Sequence, residues 1–226
     1  MKDTLPYRLE VVDGKLTLFH ADYPEYKGFA IDFADKVSLR RLREPFAGDP
    51  LRKSFGPKSL KGAIVWDLTL GLGRDAFQIA RMGADIYGWE RSRTVLALWE
   101  DAQKRARKVT ALESIFARIH GREGEGQEAF GALAAGTIPA PDFIYLDPMY
   151  PEAEESGAKR RKEMVLLRAV AGADSDAASL FSAAKSVAAK RVVVKRPLRA
   201  KAWGVPDVEF RGKSHRFDVY VRGQGF

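Results

Sequence analysis

From Ala63 onward the chain alternates short apolar runs with amphipathic helical ones, and this alternation restricts the fold more than any other feature. AIVWDL, ADIYGWE, SIFARIH, DFIYLD and KRVVVKRP read as strands, while DAFQIARMG, SRTVLALWEDAQKRARK, EGQEAFGALAAG and the segments 159–171 and 176–189 read as helices. A serine N-cap opens the longest of these helices at Ser92. Strands joined through helices pair in parallel by right-handed crossovers, so the expected core is α/β, a doubly wound sheet covered on both faces. DVEFRG and SHRFDVYV, joined tightly, supply two closing strands.

The amino-terminal part has a different texture. RLEVV and KLTLF flank Asp13-Gly14, a dipeptide favoured in the type I′ hairpin turn, and GFAIDF reads as a third short strand. ADKVSLRRLRE reads as helix, and a connection rich in proline and glycine follows, with six basic residues between Arg40 and Lys58. The expected division is a β-rich appendage and linker over residues 1–61 and an α/β domain over residues 62–226.

Composition closes several routes. No apolar run approaches the ~20 residues needed to span a bilayer. MKDTLPYRLE lacks the basic, apolar and small-residue order of a signal peptide, so a cytoplasmic protein without a membrane partner is expected. The absence of cysteine excludes disulfides, thiolate zinc sites and thiol nucleophiles, and the scatter of His20, His120 and His215 argues against a metal. Lysine and arginine exceed aspartate and glutamate by 38 − 30 = 8, an excess that draws a chain toward polyanions such as nucleic acid.

VWDLTLGLGRDAF sets Asp67 at the end of the first core strand, then Gly71 and Gly73, then the start of a helix. In doubly wound sheets ligands lie at the carboxyl ends of the strands, where glycine lets backbone approach them closely. A dinucleotide fingerprint would put its third glycine at Ala76, which leaves a nicotinamide cofactor open. Asp67 and Asp75, however, bracket the loop with negative charge that opposes a pyrophosphate and suits a cationic ligand. S-adenosyl-L-methionine carries an ammonium and a sulfonium beside a carboxylate, and carboxylates for its amine with Arg74 for its carboxylate match those charges. Glu90 ends the second strand, seventeen residues past Gly73, where an acid can accept both ribose hydroxyls, with Arg91 beside it. Gly121, Arg122 and Glu123 follow the third strand, in the loop expected to run past the adenine.

FIYLDPMYP runs a buried strand into an acid, two prolines and a flat ring. An exocyclic aromatic amine is a weak nucleophile because its lone pair is delocalised into the base. Asp147 and the carbonyl of Pro148 can accept its two N–H bonds, which positions the nitrogen and favours lone-pair density toward a methyl donor. Tyr150 offers a stacking face for an unstacked base, worth on the order of 1–3 kcal/mol. Pro148 and Pro151 fix φ, so the turn is stiff before a substrate arrives.

With these residues the chain resembles the Asp/Asn-Pro-Pro-Tyr/Phe amino-methyltransferases, and more closely the ribosomal RNA small-subunit methyltransferase J family, which methylates the N2 amine of guanine. The resemblance runs from about Gly28 to Val221 and is carried by DLTLGLGRDAF, the WER at 89–91, YLDPMYP, the KRRKEM at 159–164, KRVVVKRP and KSHRFDVY. It implies a Rossmann-like class I methyltransferase sheet of seven strands, S-adenosylmethionine as cofactor, and small-subunit ribosomal RNA or an assembled 30S subunit as partner. It also implies that Arg74 with Asp75, Glu90 with Arg91, and Asp147 line the cofactor site. KRRKEM and Lys195-Arg196 are then expected to pair with RNA phosphates around a flipped guanine. Three other functions fit parts of the pattern: a DNA adenine-N6 methyltransferase, a nicotinamide-dependent oxidoreductase, and an RNA-binding protein without catalysis.

Overall fold

Alternating side chains around a tight turn build the first element. In the computed structural model, which describes residues 5–43, 48–56, 59–149, 162–172 and 176–223, Tyr7–Val12 (β1) and Lys15–His20 (β2) pair antiparallel. Asp13 and Gly14 both take positive φ, 50° and 71°, as a type I′ turn requires. GFAIDF does not pair as a third strand. After a single bridge between Leu18 and Phe29 its backbone leaves β2, and Phe29, Ile31 and Phe33 bury their side chains in the core instead. Lys36–Arg41 (α1) is capped by Asp35, whose carboxylate accepts the Ser38 N–H at 2.6 Å. The Pro- and Gly-rich connection contains a short helix, Pro50–Ser54 (α2), with Asp49 as N-cap and Pro50 opening its first turn.

The alternating region folds as Ile64–Asp67 (β3), Arg74–Arg81 (α3), Asp85–Glu90 (β4), Arg93–Ala106 (α4), Thr110–Phe116 (α5) and Ile119–Glu123 (β5). Glu128–Ala134 (α6), Phe143–Leu146 (β6), Lys162–Ala171 (α7), Ala177–Val187 (α8), Arg191–Pro197 (β7), Val208–Arg211 (β8) and His215–Val221 (β9) complete it. Seven strands form one sheet in the order β5-β4-β3-β6-β7-β9-β8, with β9 antiparallel to both neighbours and the other described pairs parallel. Chain order reverses between β3 and β6, and at such a switch point a crevice opens above the carboxyl ends of the strands.

SIFARIH, read as one strand, divides between two elements. Leu112 and Phe116 are four apart and both fully buried, so the apolar residues before Ile119 are the inner face of α5. The strand begins only at Ile119 and runs through Gly121, Arg122 and Glu123, which are therefore strand and not loop.

The pleat gives each strand two fates. Phe143 and Tyr145 of β6 face a core built with Phe77 of α3, Trp99 of α4 and Phe116 of α5, whereas Ile144 and Leu146 face a second core with Leu180 and Phe181 of α8. Val193 of β7 joins the first core, and Val192 and Val194 join the second. The amino-terminal segment belongs to the first: the Phe33 ring lies 5.3 Å from that of Phe77 and 4.8 Å from that of Phe116. It is also tied to α4, where the Asp101 carboxylate accepts the Leu16 N–H at 3.1 Å. At the far side Arg216 and Asp218, both buried, form a two-pronged ion pair at 2.7 and 3.1 Å, and the guanidinium also donates to the carbonyls of Pro197, Leu198 and Ala200.

Candidate active site

The turn after β3 is held by its own acid. Asp67 accepts the Thr69 N–H at 3.1 Å, and Leu70 N–H donates to the Trp89 carbonyl of β4 at 2.9 Å. Gly71 and Gly73 take φ of 53° and 67°, conformations that a side chain disfavours. Gly73 is also sterically required, since a Cβ there would stand 2.2 Å from the Trp99 indole nitrogen. This glycine therefore makes room for a buried tryptophan of α4, whereas its spacing alone suggested room for a ligand. Glu90 is 8% exposed, and its two carboxylate oxygens accept from the Gly71 N–H at 2.9 Å and the Ser92 N–H at 2.7 Å. It joins the glycine loop to the start of α4.

Four side chains, from α3, β6, β7 and the turn after β6, meet beside this loop. Lys195 of β7 donates to Asp75 Oδ2 and to Asp147 Oδ2, each at 2.7 Å, and the Tyr145 hydroxyl donates to Asp75 Oδ2 at 2.7 Å. The Asp147 N–H donates to Thr69 Oγ1 at 2.7 Å, so the turn after β6 is pinned to the turn after β3. Burial pushes the Asp67 carboxyl up to about 8, and the charges of Asp75 and Asp147 push the same way against the Thr69 hydrogen bond and Lys195. Burial would raise Asp75 too, but the Lys195 charge and the hydrogen bonds from Lys195 and Tyr145 outweigh it and hold Asp75 low. For Lys195 burial acts downward, and Asp147 and Asp75 together raise it well above the ordinary lysine range.

Asp67, Gly71, Arg74, Asp75, Glu90, Arg91, Asp147 and Pro148 all line one cavity of about 1260 Å³ at the switch point. Arg91 also reaches α7 and the start of α8, donating to the Ala171 carbonyl at 3.3 Å and lying 3.9 Å from the Asp176 carboxylate. Arg122 and Glu123 stand elsewhere. The Arg122 guanidinium lies 5.9 Å from the Tyr87 and Trp89 ring centres, and Glu123 pairs with Arg93 at 3.3 Å. The chain lines the cavity after β5 with Gly124, Glu125 and Gly126. Tyr150 lies outside the described residues, as do Pro151 and most of KRRKEM.

Lys195, Tyr145 and Thr69 are the site residues that the sequence did not single out for these roles. Lys195 and Arg196 were expected to meet RNA phosphates. Instead Lys195 is engaged by two carboxylates, and Arg196, 3% exposed, sits over the Trp203 ring at 4.5 Å. A lysine ending the apolar run VVV on a central strand was the available signal, because a charge there needs a partner.

The donor set suits S-adenosylmethionine. Carboxylates at Asp67, Glu90 and Asp147 and the cation of Arg74 surround a single cavity, and the cofactor presents an ammonium, a ribose diol and a carboxylate. Comparison with known proteins points the same way. A family model described as "Putative SAM-dependent methyltransferase" matches residues 1–222. Ribosomal RNA small subunit methyltransferase J of Thioalkalivibrio sulfidiphilus is 37% identical over 217 residues, 94% of this chain and 84% of that protein. Its namesake from Shewanella piezotolerans is 41% identical over 213 residues, 92% of this chain and 78% of that one. A SAM-dependent methyltransferase of Neisseria gonorrhoeae, solved by crystallography, superposes with a TM-score of 0.72 at 28% identity, over 100% of this chain and 87% of the other. The nicotinamide-dependent alternative left open by the glycine loop gives way to these matches. The chain belongs to the SAM-dependent methyltransferase family that includes the ribosomal RNA small subunit methyltransferases J.

Proposed function

We propose that this protein transfers a methyl group from S-adenosylmethionine to the exocyclic N2 amine of a guanine in small-subunit ribosomal RNA. The observation that carries the reading is Asp147, held at the switch point by Thr69 and Lys195, in the same cavity as Glu90 and Asp67. The cofactor, when bound, supplies an electrophilic methyl on a cationic sulfur. Glu90 accepts the ribose hydroxyls, Asp67 takes the ammonium, and Arg74 pairs with the carboxylate, with Asp75 and Arg91 completing the surround. Asp147 and the Pro148 carbonyl accept the two N–H bonds of the base amine and hold its nitrogen toward the donor. Tyr150 stacks on the base. No strong base is needed, because the amine proton becomes acidic only as the new bond forms, and Asp147 or water removes it.

The activity named for the relatives supports small-subunit ribosomal RNA as substrate, and the excess of eight positive charges suits it. Among the described residues no helix is long and apolar enough to cross a membrane, and no group of histidines and acids could hold a metal ion. A protein acting on ribosomal RNA or an assembled 30S subunit works in the cytoplasm. The test offers tritiated cofactor with ribosomal RNA, 30S subunits and DNA, all from a strain lacking the gene. Label in guanine N2 of small-subunit RNA supports the proposal, and label in DNA adenine replaces it.

A further inference from the structure

The register pairs Leu146 with Val194, so Asp147, just past the end of β6, and Lys195, still within β7, stand side by side on the face that also carries Tyr145. Lys195 Nζ lies 2.7 Å from Asp147 Oδ2 and 2.7 Å from Asp75 Oδ2, with its side chain 22% exposed. Asp147 is thus gripped twice, at its backbone N–H by Thr69 and at one carboxylate oxygen by Lys195. We propose that Lys195 is the positioning residue of the methyl-acceptor turn, fixing the Asp147 carboxylate so that it faces the substrate amine as an acceptor. This inference rests on the reading of Asp147 given above.

The chemistry requires such a residue. An ionised Asp147 offers all its lone pairs to an amine N–H, whereas a protonated carboxyl gives one oxygen over to a donor of its own. It stands close to two other acids, Asp67 from β3 and Asp75 from α3, and the charges of Asp75 and Asp147 raise the proton affinity of Asp67. Around this cluster stand Tyr145 of β6, His215 of β9, whose charge acts on Asp75, and Arg74 and Glu90 of the cavity wall. Lys195 is the cation bonded directly to both Asp75 and Asp147. Its loss removes the bond that fixes Asp147 Oδ2 and the positive charge that favours the ionised form, so the carboxylate is held less firmly toward the amine.

The experiment compares Lys195→Met and Lys195→Arg with the wild-type chain on small-subunit ribosomal RNA. Lys195→Met is expected to lower kcat near neutral pH by about tenfold or more while leaving cofactor Kd and RNA KM within about threefold. It should also move the acid limb of the kcat profile upward by about one pH unit or more. Lys195→Arg keeps the charge and should restore the position of that limb. Combined with Asp147→Asn, Lys195→Met should cost little beyond Asp147→Asn alone. If Lys195→Met fails to fold, Lys195→Gln can donate to the same carboxylates and reports the same shift of the limb. An unmoved limb with normal kcat overturns the inference, and so does a raised RNA KM with unchanged kcat, which makes Lys195 a phosphate contact. An Asp147→Ala variant with wild-type kcat removes the amine-acceptor reading and this inference with it. An impaired Asp147→Asn beside an unimpaired Lys195→Met overturns the inference alone.

Discussion

Asp67 is almost fully buried, at 1% exposure, and with no ligand cation beside it its neutral form is the one the folded chain favours. Its carboxyl is raised from 3.8 to about 8, so between those values the folded state holds a proton that the unfolded state has released. The stability it contributes is full below pH 3.8, falls as pH rises, and levels off above about 8. Asp67→Asn should flatten that decline, so thermal melts of the ligand-free protein should show the variant gaining on the wild type as pH rises from about 5 to about 8. Asp147→Ala should cut turnover by about a hundredfold or more with cofactor affinity nearly intact, a split that steady-state kinetics and calorimetry separate. Glu90→Ala should weaken cofactor binding by about tenfold or more, since it loses both a ligand contact and the tie to the Gly71 N–H; equal calorimetric affinity would remove Glu90 from the site. At this scale the sequence was informative at three acids that end or follow strands, Asp67, Glu90 and Asp147, and misleading at a fourth, Glu123. It assigned Lys195 to RNA phosphates, because what decides that residue's partners is the pairing of β6 with β7, which no local pattern encodes.

Elements were legible in proportion to how local their causes are. Asp13-Gly14 specifies its turn by backbone preference alone, and the hairpin of β1 and β2 forms where expected. SIFARIH was misread because Ile115 and Phe116 suit a strand intrinsically, and only packing against α3 and α4 reveals them as one side of α5. The consequence reached the site: moving the start of β5 to Ile119 carries Arg122 and Glu123 onto the strand and leaves Gly124 to Gly126 at the cavity. Gly73 belongs to the same scale, as the joint between the loop and α4. Gly73→Ala forces a Cβ against Trp99 at positive φ and should cost roughly 2–4 kcal/mol in urea unfolding. Replacing Trp99 by leucine in that background should recover part of the loss.

The whole molecule joins a basic chain to a cavity walled by acids. The expected division of labour is long-range attraction of RNA by distributed cations and short-range chemistry by carboxylates. RNA affinity should therefore fall by about tenfold or more between roughly 50 and 200 mM salt while cofactor affinity changes little, as filter binding and calorimetry would show. The largely parallel, doubly wound sheet was readable because alternation forces crossovers, whereas the share of the core taken by the amino-terminal segment was not, since it depends on Phe33 meeting Phe77 and Phe116. The bond from the Asp147 N–H to Thr69 joins residues 78 positions apart in the chain. It can close only after β6 has docked beside β3, and a long loop must be shut before that contact returns any free energy. A chain leaving the ribosome is consequently inert until its sheet has passed that juncture, so methylating competence itself reports that the fold has been completed.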